Sequence, residues 1–159
     1  MIQSHAVYQQ LNSQGRPDEF SLAMANNPIT MRMDNDLARA SLVTIADYQE
    51  FYSRYLSLWE SELAVTLLDL NSYLSVEDAV ALAAAQRQWE ASVNTNLDLD
   101  QSIIESTGVE LGFQYEPSVL LYLLQQYEAR VYHIKYLIYL IENHVPAPDQ
   151  LWDNFHHGT

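Results

Sequence analysis

The chain has 159 residues, enough for one domain with one core. It is 48% hydrophobic and 11% aromatic, which excludes a disordered chain. Twenty-one acidic residues against 7 basic ones give a net charge of −14, which argues against nucleic acid or anionic membrane as partner and favours a basic protein. With no cysteine, disulfides and thiol chemistry are excluded.

Residues 1–33 are expected to form an accessory arm with two short helices, around His5 to Leu11 and Asp18 to Ala25, parted by Gly15 and Pro17. The opening, Met1 to Arg16, has neither the basic start nor the continuous apolar run of a signal peptide. A cytoplasmic chain is expected unless a leader has been removed. The domain proper is expected over residues 34–145.

Its first long helix covers residues 44–74, with a start as early as Asp34 allowed. Ile45, Tyr48, Tyr52, Tyr55, Trp59, Leu63, Leu67, Leu70 and Leu74 recur every three or four residues and define an apolar stripe. Ser75-Val76-Glu77-Asp78 reads as a capping box with Asp in place of Glu and opens a second helix. Leu82, Gln86, Trp89 and Val93 share one face of it. The weakly patterned residues Asn94 to Asp100 are expected to loosen this helix before Gly108 and Gly112 end it.

Pro117 suits the first turn of a third long helix, which runs to about Val145, where Pro146 and Pro148 stop it. Its most apolar stretches, 119–124 and 131–141, are too short and too interrupted by charge to cross a membrane, which takes roughly 20 apolar residues. Residues 146–159 form a tail in which Leu151, Trp152 and Phe155 supply one docked turn. The fold class expected is all-α: an elongated up-down bundle of three long helices with short N-terminal helices.

No motif for a nucleophile elbow, a phosphate loop, a dinucleotide or a zinc protease occurs, so the chain is expected to bind rather than to catalyse, without cofactor or metal. The five histidines include no pair at helical metal-site spacing, and His133 reads as a core or boundary residue. Asn94, Asn96, Asp98, Asp100, Ser102 and Glu105 match the ligand spacing of a calcium loop. Leu99 stands where that loop needs glycine, so a polar helix end is the better reading. Asp34 and Asp36 are read as solvated surface. Tyr122, Tyr127, Tyr132, Tyr136 and Tyr139 cannot share one face and must divide between core and edge.

Charge is the most informative feature. No Lys or Arg occurs over residues 88–129, while Glu90, Asp98, Asp100, Glu105, Glu110, Glu116 and Glu128 do. This stretch is expected to form a negative patch, with the first six of these as the candidate residues for a basic partner.

Leu70-Asn71-Ser72-Tyr73-Leu74, followed by Leu82 and Ala85-Gln86-Arg87-Gln88-Trp89, resembles the lysozyme inhibitor LprI-like domain family. Arg130 followed by Ile134 and Leu137 resembles its last helix, and the resemblance spans about residues 59–140. It implies a small helical bacterial protein, exported or held at the cell envelope, and lysozyme as an example of a basic partner. The family's two cysteines and its glycine-rich link have no counterpart here. Of the matching residues, Asn71, Tyr73, Gln86, Trp89 and Arg130 read as structural: Gln86 tying backbone, Trp89 filling space between helices, Arg130 pairing with Asp69 or Glu90. Two other functions fit the same composition, an acidic mimic of nucleic acid that blocks a basic protein and a self-associating helical module.

Overall fold

The computed structural model describes residues 19–109 and 115–144. The expected helix near His5, the tail beyond residue 145, Gly112 and Glu110 lie outside them. Among the described residues the fold is all-helical, a helical bundle without strands.

Helix α1 covers Glu19–Ala25 and α2 covers Pro28–Arg39. Asn27 caps α2, its side chain accepting the Thr30 N–H at 2.8 Å, and Pro28 occupies the first turn, where a missing N–H costs nothing. Helix α3, Ile45–Ser72, is separate from α2 and does not begin at Asp34. The cause is a capping box: Thr44 Oγ1 accepts the Asp47 N–H at 3.2 Å, and Asp47 Oδ2 accepts the N–H groups of Thr44 at 2.7 Å and Val43 at 3.0 Å. These bonds satisfy donors that a new helix end leaves orphaned.

Helix α4 covers Val76–Thr107, with Ser75 Oγ accepting the Asp78 N–H at 3.1 Å. It ends at Gly108, whose φ of 63° is the left-handed conformation that glycine adopts without steric cost. The expected loosening between Asn94 and Asp100 does not occur, because α4 runs through it unbroken. No glycine or proline interrupts that stretch, and polar side chains in solvent are compatible with helix. Helix α5 covers Tyr115–His144.

The core is the seam between α3 and α5. Phe51, Tyr55, Trp59, Leu63, Thr66 and Leu70 form the buried stripe of α3, and Leu124, Val131, Tyr132, Ile134 and Ile138 answer from α5. Fully burying side chains of this size stabilises by about 1.5–3 kcal/mol each. Trp59 and Tyr132 meet edge to face at 5.9 Å, and α1 joins through Phe20, which lies 5.2 Å from Tyr136 and 5.5 Å from Tyr139. The α5 tyrosines thus divide, with Tyr132 buried and its neighbours at the edge.

A buried polar knot fastens α2 to this seam. Tyr132 Oη lies 2.9 Å from Glu128 Oε1 and 3.0 Å from the Met24 carbonyl, two acceptors for one proton. Asn27 Nδ2 donates to Tyr132 Oη, and Thr30 Oγ1 to Glu128 Oε1 at 3.1 Å. Burial foremost, and the Glu128 charge second, push the Tyr132 phenol far above its ordinary value, so it stays a neutral donor. Glu128 is buried here and does not belong to the acidic surface.

Candidate partner-binding surface

Helix α4 is built differently from its neighbours. Val93 is its one buried residue, while Val76, Val80, Leu99 and Ile103 are exposed. Its 32 residues carry Glu77, Asp78, Glu90, Asp98, Asp100 and Glu105 against a single cation, Arg87. A helix held by so few core residues yet so acidic presents most of its surface, and most of its charge, to solvent.

Its attachment to α5 is a compact cluster around Trp89. The indole meets Tyr127 edge to face at 5.1 Å, and the Arg130 guanidinium lies 5.7 Å from the indole ring. Trp89 is only partly buried and packs on the outside of the core, because α4 sits beside the α3–α5 seam. Arg130 Nε donates to Gln86 Oε1 at 3.0 Å, and Gln86 Nε2 donates to Glu90 Oε1 at 3.1 Å. The amide of Gln86 therefore bridges Arg130 to Glu90 through side chains. A backbone tie by Gln86 and a direct partner chosen between Asp69 and Glu90 give way to this relay. Arg130 Nη1 also lies 3.5 Å from His133 Nδ1. Burial first, and the Arg130 charge second, hold His133 below the ordinary histidine value.

Tyr73 and Asn71 lie at the far end. The Tyr73 hydroxyl donates to Glu142 Oε1 at 2.6 Å, tying the end of α3 to that of α5, and this bond raises the phenol's pKa. Asn71 accepts the Leu74 N–H on its carbonyl at 3.3 Å and lines a shallow apolar groove with Leu67, Leu68 and Leu82.

The acidic candidates separate into groups. Asp98, Gln101 and Glu105 follow at three- and four-residue steps and share one flank of α4. Gln101 Nε2 donates to Glu105 Oε1 at 2.8 Å. Asp98 and Gln101 line an open depression with Gln49 of α3 and Glu116 and Val119 of α5, and Gln49 Nε2 donates to Glu116. Asp98, Glu105 and Glu116 are exposed and belong to one end of the molecule. Asp100 lies about 200° around the helix from Asp98, and Glu90 stands apart beside Gln86.

The residues with calcium-loop spacing lie within α4. Successive alternate positions from Asn94 to Ser102 wind around α4 in place of converging as in a loop, and among the described residues no group of three or more metal-ligating side chains gathers. Asp36 is not free surface: its carboxylate accepts from Tyr55 Oη and lies 3.4 Å from Arg54 Nη2 and 3.9 Å from Arg32 Nε. No family model, curated protein or solved structure matches the chain.

Proposed function

We propose that the protein is a binding module for a basic protein, with the exposed acidic flank of α4 and the adjoining start of α5 as its docking surface. The observation that carries this reading is the grouping of exposed Asp98, Glu105 and Glu116 at one end, where Asp98 and Glu116 line one open depression together with Leu97, Val119 and Leu120. Carboxylates steer a cationic partner and apolar side chains supply contact area once it has arrived. In this reading three long helices form the working bundle and the N-terminal residues an accessory arm. The resemblance to lysozyme inhibitor LprI-like domains makes lysozyme the first partner to try and a bacterial envelope the setting.

The test is capture on the immobilised chain, from lysate and with purified lysozyme, at low and at physiological salt. Basic proteins should be retained and released as salt rises, since exposed charges are screened over about 8 Å at 0.15 M. For lysozyme, loss of activity must be stoichiometric at physiological salt, because its cationic surface adheres to many acidic proteins at low salt. Retention of no basic protein from any source would sink the reading.

A further inference from the structure

A cleft of about 390 Å³ opens between the start of α3 and the start of α5. Ile45, Tyr48 and Tyr52 line it from α3 and Pro117 and Leu121 from α5, with Val43 just ahead of α3. None of its lining residues is charged. Val43 and Tyr48 are exposed, and Tyr52 and Leu121 are half-buried, so solvent reaches the walls. The rings of Tyr48 and Tyr52 lie side by side, 6.3 Å between centroids and 33° apart in plane. Tyr48 and Pro117 line this cleft, while their chain neighbours Gln49 and Glu116 line the acidic depression. The two hollows therefore adjoin, with the Gln49–Glu116 bond between them. That bond ties α3 to α5, and the capping box from Thr44 to Asp47 fixes the start of α3, so the cleft is already formed in the free chain.

We propose, on the basic-partner reading, that this cleft receives an aromatic side chain of the partner, which therefore docks through a segment where Lys or Arg stands next to Trp, Tyr or Phe. Volume admits the ring: an apolar cavity of about 150 Å³ in another protein takes up benzene, and this cleft is larger and open. Charge sets what stands beside it. The cleft itself suits a neutral group, whereas Asp98 and Glu116 next to it attract a cation and repel a carboxylate, and no Lys or Arg lines either hollow. Exposed carboxylates speed encounter but hold a partner weakly, because water and salt screen them. A ring buried in a preformed cleft supplies the lasting contact, as anchor residues do at protein interfaces. Tyrosine walls suit that contact, since a phenol offers apolar area and a hydroxyl together.

The experiment is a titration of the ¹⁵N-labelled full chain with the end-blocked peptide Gly-Arg-Trp-Arg-Gly, read at the backbone amides. Its companions carry Ala in place of Trp, or Glu in place of both Arg, and 3-methylindole serves as a free ring. The Trp peptide should move the amides of Tyr48, Tyr52 and Leu121 together with those around Asp98 and Glu116. The Ala peptide should move only the second set and bind about tenfold more weakly, the usual worth of one buried apolar side chain. Rising salt should weaken both while preserving their ratio, because burial of a ring is not screened. Tyr48→Ala, at an exposed position, should bring the Trp peptide down to the Ala peptide with the helical circular dichroism unchanged. Equal binding of the two cationic peptides, or a ratio that survives Tyr48→Ala, overturns the proposal and leaves the basic-partner reading standing. Binding of the Glu peptide or of 3-methylindole as tight as that of the Trp peptide overturns it too, since the neighbouring cation would then count for nothing. Failure of both cationic peptides to bind at low salt overturns the basic-partner reading and the proposal with it.

Discussion

Two tryptophans in neighbouring helices show how position, more than residue type, sets energetic weight. Trp59 lies within the α3–α5 seam and Trp89 on its outer edge. Trp59→Ala should cost about 3–5 kcal/mol, and Trp89→Ala clearly less in the same denaturant titration, because solvent already reaches part of the ring. Equal costs would show that α4 packs as deeply as α3. Beside Trp89, His133 sets a pH dependence. Its pKa is depressed in the folded chain, so the unfolded chain binds the proton more readily. Stability is then complete above the unfolded value of 6.5 and falls as pH drops below it, levelling off once the folded pKa is passed. Replacing His133 by Gln should flatten the stability profile between about pH 7 and pH 5; an unchanged slope would assign that dependence to other groups.

Helix ends account for what the chain discloses in advance. Ser75 marks the start of α4 as an N-cap that accepts the Asp78 N–H, without the reciprocal bond to its own backbone N–H, while the full capping box stands at Thr44 to Asp47, a start that the sequence pattern did not single out. Thr44→Ala should lower stability by about 1 kcal/mol, measured by thermal or chemical unfolding. The apolar stripe of α3 is legible at Tyr55, Trp59, Leu63 and Leu70, whereas at its start Tyr48 is exposed and Phe51 takes the buried place, and Leu56 and Thr66 join the core unforeseen. Two further things were not legible. Asn, Thr and Asp make residues 94–100 look like weak helix, yet each costs only a few tenths of a kcal/mol, and with no Gly or Pro in the stretch α4 continues through it. The partners of Gln86 and Arg130 depend on how α4 sits beside α5, which no local pattern encodes. Since Val93 alone anchors α4 by full burial, its C-terminal half should exchange amide hydrogens faster than the α3 stripe. Protection of residues 97–107 as strong as that of Tyr55 and Trp59 would contradict this.

At the scale of the molecule, a net charge of −14 is distributed unevenly over a bundle whose basic residues number 7. Several of those are spoken for: Arg32 and Arg54 face Asp36, Lys135 faces Glu62, and Arg130 is engaged with Gln86. The α4 flank therefore faces solvent with its negative field largely uncompensated, and such a field acts first on encounter with a partner. Glu128 shows why charge along the chain is not charge on the surface, for it lies in the same cation-free stretch and is spent inside the fold.

The measurement that bears most directly on this account is the rate of association with a captured basic protein, lysozyme being the first probe, across a range of salt. Neutralising Asp98, Glu105 and Glu116 together as Asp98→Asn, Glu105→Gln and Glu116→Gln should slow association several-fold at low salt, with little change in dissociation. Asp100→Asn, on the other side of α4, should do much less. Association that is as fast in the triple variant as in the parent chain, at every salt concentration, would contradict the assignment of this surface.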